Sequence, residues 1–352
     1  MARLRSIAAL AAAALLYGGG SLTGQPSVPE IPFEADADLL KTPADIHVGE
    51  VAGVGTNSKR EIFVYTRTGH PSATLGDNRT FARGGSRLFQ FDSAGRFVRE
   101  LGQDVYGFNA AIGLRVDPQD NVWTVDAAAN QIVKFDPDGR VALVLGRKPE
   151  AIPVRPAAAA AGRGSATTGA GTPGSTFSRP ADVAWDRDGN IYVADGMGSN
   201  NRVAKFDRDG RFVAQWGTTG TGPGQFNGVK AIAVDAEGQV YVADAGNKRI
   251  QVFDAAGAFT REFAGIGTPL AMCMTRGSTP FLYISHAGDE DGMDDAAIYK
   301  VRLDGTVVGR FGTAGKRPKQ FGLANSIDCR NERELLVGEM TNWRVQRVTF
   351  GR

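Results

Sequence analysis

The stretch RPADVAWDRDGNIYVADGMGSNNRVAKFDRDGRFVAQWG, Arg179 to Gly217, holds four short runs in which apolar and polar residues alternate. They are Asp182–Trp185, Ile191–Ala194, Arg202–Phe206 and Phe212–Trp216. A period of two over that length places alternate side chains on opposite faces, the mark of half-buried strands. Between the first two runs lies Asp186-Arg187-Asp188-Gly189-Asn190, and between the last two Asp207-Arg208-Asp209-Gly210-Arg211. Asp and Asn there hydrogen-bond the backbone ahead and Gly supplies a positive φ, so both segments are tight turns. The stretch predicts one four-stranded antiparallel meander.

The unit recurs about every fifty residues. Ile112 opens IGLRVDPQDNVWTVDAAANQIVKFDPDGRVALVLG, and Lys230 opens KAIAVDAEGQVYVADAGNKRIQVFDAAGAFTREFAG. Val125-Asp126, Ala194-Asp195 and Ala243-Asp244 share one place in the repeat, and Phe135-Asp136, Phe206-Asp207 and Phe253-Asp254 another. Four-stranded repeats of this length predict an all-β protein, a β-propeller. An earlier blade comes from Gly53–Arg67, Ser86–Asp92 and Phe97–Leu101; a later one begins near Leu270, and Asn325–Phe350 supplies three strands only. That makes six blades. The missing outer strand is expected from Phe33–His47, because closing the ring removes two exposed strand edges.

The strands of a blade run outward from the axis. Turns joining the first to the second strand, and the third to the fourth, are short. The long segments Thr68–Gly85, Lys148–Ser178, Thr218–Asn227, His286–Asp295 and Thr313–Gly322 all fall in the other two kinds of loop. These share one rim, which becomes the expected binding face. Residues 149–178 read as a low-complexity insertion.

Residues 1–24 carry Arg3 and Arg5, an apolar run Ile7–Tyr17 and then small residues, the order of a secretory signal. The expectation is an exported, periplasmic or secreted protein with no membrane span once the signal is removed. Residues 25–47 form a linker and the closing strand, and residues 48–352 the propeller. The net charge of +2 leaves no global field for nucleic acid. Cys273 and Cys329, the two cysteines, take the same position in the innermost strands of consecutive blades, where spacing disfavours a bond, so buried thiols are expected, with a disulfide in an exported chain as the alternative.

The repeat resembles the NHL-type propeller. Across Val51–Phe350 the chain also resembles the lyases that cleave peptidyl-α-hydroxyglycine to complete peptide amidation. The shared landmarks are Gly49-Glu50-Val51-Ala52-Gly53-Val54, Arg67-Thr68-Gly69-His70, Arg179-Pro180-Ala181-Asp182-Val183 and Pro223-Gly224-Gln225-Phe226. The resemblance implies an axial zinc on three histidines, and those positions are Ile112, Lys230 and Asn325 here. Ala52, Ala181 and Leu270 complete the ring. The family's catalytic tyrosine falls at Met197 and its methionine at Leu323. Its calcium-binding carboxylate falls at Ser326, with carbonyl donors at Val54 and Leu114, while its arginine is kept as Arg67. Ile cannot ligate and a Lys ammonium repels a cation, so zinc is disfavoured.

His47, His70 and His286 show no recognised ligand spacing, so they read as loop histidines. The run from Asp289 to Asp295 carries five carboxylates but lacks the calcium-loop register, so calcium is disfavoured as well. The acids Asp126, Asp195, Asp244 and Glu339 recur blade after blade, which points to a structural role. The function expected is therefore a binding module for a protein, or for an anionic small ligand or peptide. It would act through the long-loop face, with Arg67, Lys230 and Asn325 around the axial mouth and no catalytic set. The alternative is a divergent lyase on the same scaffold. A third reading is a structural piece of a cell-envelope assembly.

Overall fold

A computed structural model describes residues 28–68, 72–75, 79–82, 85–147, 177–197, 200–288 and 294–351. The signal segment, His70 and nearly all of the low-complexity insertion lie outside the described residues. Six four-stranded antiparallel sheets make up the propeller. In the third blade the strands are Pro180–Trp185, Ile191–Asp195, Arg202–Phe206 and Phe212–Trp216, paired in sequence order from the axis outward. The innermost strands of the other blades are Glu50–Thr56, Ala111–Val116, Val229–Val234, Pro269–Met274 and Ala324–Asn331.

The turns work as their chemistry requires. Oδ1 of Asp186 accepts the N–H groups of Asp188 and Asn190, and the same pattern repeats at Asp207, Asp235 and Asp254. At Gly95 a side chain is barred outright. Its φ is +82°, and a Cβ there would lie 2.0 Å from the Leu39 carbonyl oxygen.

The ring closes through the N-terminal segment. Phe33–Asp36 pairs antiparallel with Arg344–Phe350 as the outer strand of blade six, in the register Phe33 to Phe350. Phe33 packs on Phe311 with ring centres 5.1 Å apart. The same arm continues past its neighbours: Ile31 N–H donates to the Arg310 carbonyl of blade five, and Phe97 N–H to the Lys41 carbonyl beside blade one.

Six apolar clusters fill the spaces between adjacent blades, one at each interface. Phe177 belongs to one of them and is buried, so the insertion expected over residues 149–178 ends in a core residue. Phe108, Phe226 and Phe321 hold the same place ahead of their own innermost strands, and all are buried. No helix among the described residues is long and apolar enough to cross a membrane.

The cysteines depart from expectation, for Cys273 and Cys329 form a disulfide with Cα atoms 5.9 Å apart. Cys273 stands opposite Tyr283, three residues before the end of its neighbouring strand. The equivalent residue in blade six is Asp328, opposite Leu336, so Cys329 lies one residue further along. Side chains alternate between the two faces of a strand. Residues at equal register would face the same way round the ring; the one-residue offset turns the two sulfurs toward each other.

Candidate functional site

The end of each second strand carries one polar residue that organises the long-loop rim. These residues are Arg67, Asp126, Asp195, Asp244, His286 and Glu339, each paired with the first residue of its innermost strand. Asp244 accepts from the Asn227 N–H, the Asn247 amide, Arg249 and Gln251. Glu339 accepts from the Gly322 N–H, Asn342, Arg344 and Gln346 in the same way. Asp126 takes the N–H groups of Asn109, Ala110 and Ala129, and the Tyr65 hydroxyl. Burial pushes the Asp126 carboxyl above its usual value, against the pull of those donors. The repeated acids thus fix the loops that lead into the innermost strands.

His286 stands in for the acid in blade five. Its Nδ1 accepts the Thr268 N–H at 2.8 Å, and its Nε2 lies 3.3 Å from the Asp295 carboxylate. Arg67 is the blade-one member. Its Nε donates to the Ala111 carbonyl at 2.7 Å and its guanidinium lies 3.5 Å from Glu50, so it ties blade one to blade two. Burial lowers the Arg67 pKa from its ordinary value.

Closer to the axis, Lys230 and Asn325 line one small cavity of about 20 Å³ with Ile112, Ala181, Leu270 and Met197. Arg67 is not among its lining residues. The ring expected from the sequence is therefore a ring in space, with two of the three proposed binding residues in it. Asn325 is held firmly, its Nδ2 donating to the Ala52 and Ile112 carbonyls at 2.7 Å each. The family's zinc does not fit this donor set: an isoleucine, an ammonium and an amide whose N–H groups face carbonyls. At the calcium-related position, the Ser326 hydroxyl accepts the Val54 N–H and donates to the Val54 carbonyl. Among the described residues no three His, Cys, Asp or Glu side chains gather as metal ligands.

Arg115 was not singled out from the sequence, yet it divides the channel. It lines this cavity and also a second one, of about 460 Å³, which opens at the short-turn end. From blade two its guanidinium makes a bidentate pair with Asp182 of blade three, at 2.8 and 2.6 Å. It also donates to the Met272 and Ile327 carbonyls of blades five and six. Asp182 in turn accepts the N–H groups of Val183 and of Ile232 in blade four. Burial alone would lower the Arg115 pKa; the Asp182 carboxylate outweighs it and holds the group above its ordinary value. The signal for this pair was a charged residue inside an otherwise apolar innermost strand, in both IGLRV and ADVAW.

Comparison with known proteins agrees with this architecture. A family model described as a 6-bladed beta-propeller matches residues 177–285. The chain is a six-bladed propeller with homology to NHL-repeat proteins and to peptidyl-alpha-hydroxyglycine amidating lyases. It is 47% identical over 81 residues to NHL repeat-containing protein 3 of Mus musculus, covering 22% of this chain and 23% of that protein. It is 27% identical over 236 residues to "Probable peptidyl-alpha-hydroxyglycine alpha-amidating lyase pgal-1" of Caenorhabditis elegans, covering 63% of this chain and 61% of that one. A streptogramin B lyase structure shares the fold with a TM-score of 0.56 at 14% identity, covering 91% of this chain and 98% of that one. The chain spans about a quarter of the length of the first curated relatives it matches.

Proposed function

We propose that this chain is an exported binding module rather than a zinc-dependent lyase. In this reading the axial mouth on the long-loop rim receives a protein, or an anionic small ligand or peptide. One observation carries it: the axial ring sets Lys230 and Asn325 where the related lyases are expected to hold metal-binding imidazoles. An ammonium at the mouth of a narrow channel favours an approaching carboxylate, since low-dielectric walls focus its field. Asn325, anchored by two carbonyls, keeps the ring in place instead of turning toward a guest.

Metal analysis of protein purified without a His tag, followed by incubation with a hydroxyglycine peptide, tests this. The expected result is substoichiometric zinc and no turnover. Stoichiometric zinc together with turnover would overturn it in favour of the divergent lyase, a reading that the alignment with the Caenorhabditis elegans relative supports. Export is checked separately, by the N-terminal sequence of the protein recovered from outside the cytoplasm.

A further inference from the structure

The larger cavity lies at the other end of the axis. Val54, Val183, Ile232, Met272, Met274 and Ile327 give it apolar walls, and Trp185 stands beside them. Its floor includes Arg115, whose partner Asp182 lines only the smaller cavity, and its wall between blades five and six includes Cys273, covalently tied to Cys329. A cavity of a few hundred Å³ with mainly apolar walls and a few placed polar groups is the usual form of a small-ligand site.

The acids around this funnel are already engaged. Asp186 and Asp235 each hold their own turn and accept a tyrosine hydroxyl, from Tyr192 and Tyr241. Asp328 accepts the Thr56 hydroxyl and the Arg330 N–H. Arg330 faces Asp120 and the Val116 and Asp117 carbonyls. Arg187 and Arg276 differ. Both line the funnel, from the short turns of blades three and five, and neither makes a hydrogen bond or ion pair with a described residue. Burial and the Arg330 guanidinium push Arg276 below its ordinary pKa, against the pull of Asp328 and Asp120. The Trp185 Nε1–H is buried without an acceptor. Arg187 and Arg276 are exposed at the rim of the funnel, so two cations stand at the mouth of an apolar cavity and attract an anion there.

We propose that this funnel binds a small organic anion with an apolar body, its carboxylate held by Arg276 and Arg187 and its body against the Trp185 and Met274 walls. A cation would meet two guanidinium groups, a neutral molecule would leave them unpaired, and a bare inorganic anion would leave the apolar walls wet. This goes beyond the axial mouth at Lys230, from which the Arg115–Asp182 pair separates it.

The test titrates octanoate into the full, tag-free chain, read by tryptophan fluorescence and calorimetry, with acetate and 1-octanol as controls. Octanoate should bind one per chain and more tightly than either control. Arg276→Gln and Arg187→Gln, surface changes that leave the core intact, should each weaken octanoate about tenfold while leaving octanol unchanged, as expected for a hydrogen bond to a charged group. Lys230→Ala should leave octanoate binding unaltered. Octanoate no tighter than octanol, or indifferent to both arginine changes, would overturn the proposal. So would a loss of binding in Lys230→Ala, which would move the anion to the opposite mouth.

Discussion

Asp182→Asn should destabilise the whole ring, because no orientation of the new amide suits its surroundings. Oδ1 of Asp182 faces two donors, Arg115 Nε at 2.8 Å and the Val183 N–H at 2.9 Å. Oδ2 faces two more, the second Arg115 nitrogen at 2.6 Å and the Ile232 N–H at 3.1 Å. Whichever way the amide turns, its NH₂ meets a guanidinium N–H and a backbone N–H. The side chains of Arg115 and Asp182 are 18% and 7% exposed, so little water can replace the lost acceptor. Two orphaned donors cost about 1–3 kcal/mol each, and removing one partner of a buried ion pair typically costs about 3–5 kcal/mol in all. The assay is urea unfolding with the disulfide intact, run as a cycle with Arg115→Met. Arg115→Met leaves the carboxylate two N–H partners, so the double variant should lose less than the sum of the singles, with a coupling near 2 kcal/mol. A cost below about 1 kcal/mol for Asp182→Asn, or a cycle additive within about 0.5 kcal/mol, would refute the reasoning.

Three further outcomes follow from the same contacts. A chain beginning at Val48 loses the strand Phe33–Asp36 and leaves the edge of Arg344–Phe350 bare; it should melt earlier and aggregate with concentration, and unchanged melting and solubility would count against ring closure. Replacing Cys273 and Cys329 together by Ala removes a cross-link between residues 56 apart in sequence, which the loop-closure model puts at about 4 kcal/mol in denaturant unfolding; a loss under about 1 kcal/mol would show the bond to be dispensable. Burial raises the Asp120 carboxyl, but the Ser58 hydroxyl and N–H and the Arg330 guanidinium prevail and hold it below its ordinary value. A depressed folded pKa gives stability that is present above the unfolded value and lost as pH falls through the folded one. Asp120→Asn should therefore cost about 1–2 kcal/mol near neutral pH, and the gap from wild type should close below the carboxylate range; a gap independent of pH would argue against it.

The blades were legible because their information is local. Alternation in Ile191–Asp195 and the Asp-to-Gly turn at Asp207 depend on neighbours within a few residues, so strands and turns could be read directly. Ring closure was legible for a different reason, since a missing strand at one end demands a donor at the other. The disulfide was missed because it hangs on a one-residue offset: Cys273 lies four residues past Pro269, and Cys329 five past Ala324, the first residues of their innermost strands. Reading Cys273 and Cys329 at equal register placed them farther apart than a disulfide allows; the actual register, one residue out of step, brings the sulfurs together.

The axial site divides along the same line. Lys230 and Asn325 reach one cavity because equivalent positions in a ring must meet at its centre, a consequence that alignment of the repeats already contains. Arg67 occupies the last place of a second strand, one layer out, where its guanidinium ties two blades together. Loop length pointed to the rim that carries the elaborate segments, yet the width of a channel is set by the residues that point into it. At the long-loop end Met197, Leu270 and Asn325 crowd the axis; beyond Arg115 the penultimate strand residues Ala184, Ala233 and Gly55 are small and leave room. A charged pair lying across the axis then makes two compartments of one channel. Arg115 lines both compartments, so a variant of it is the one expected to perturb both.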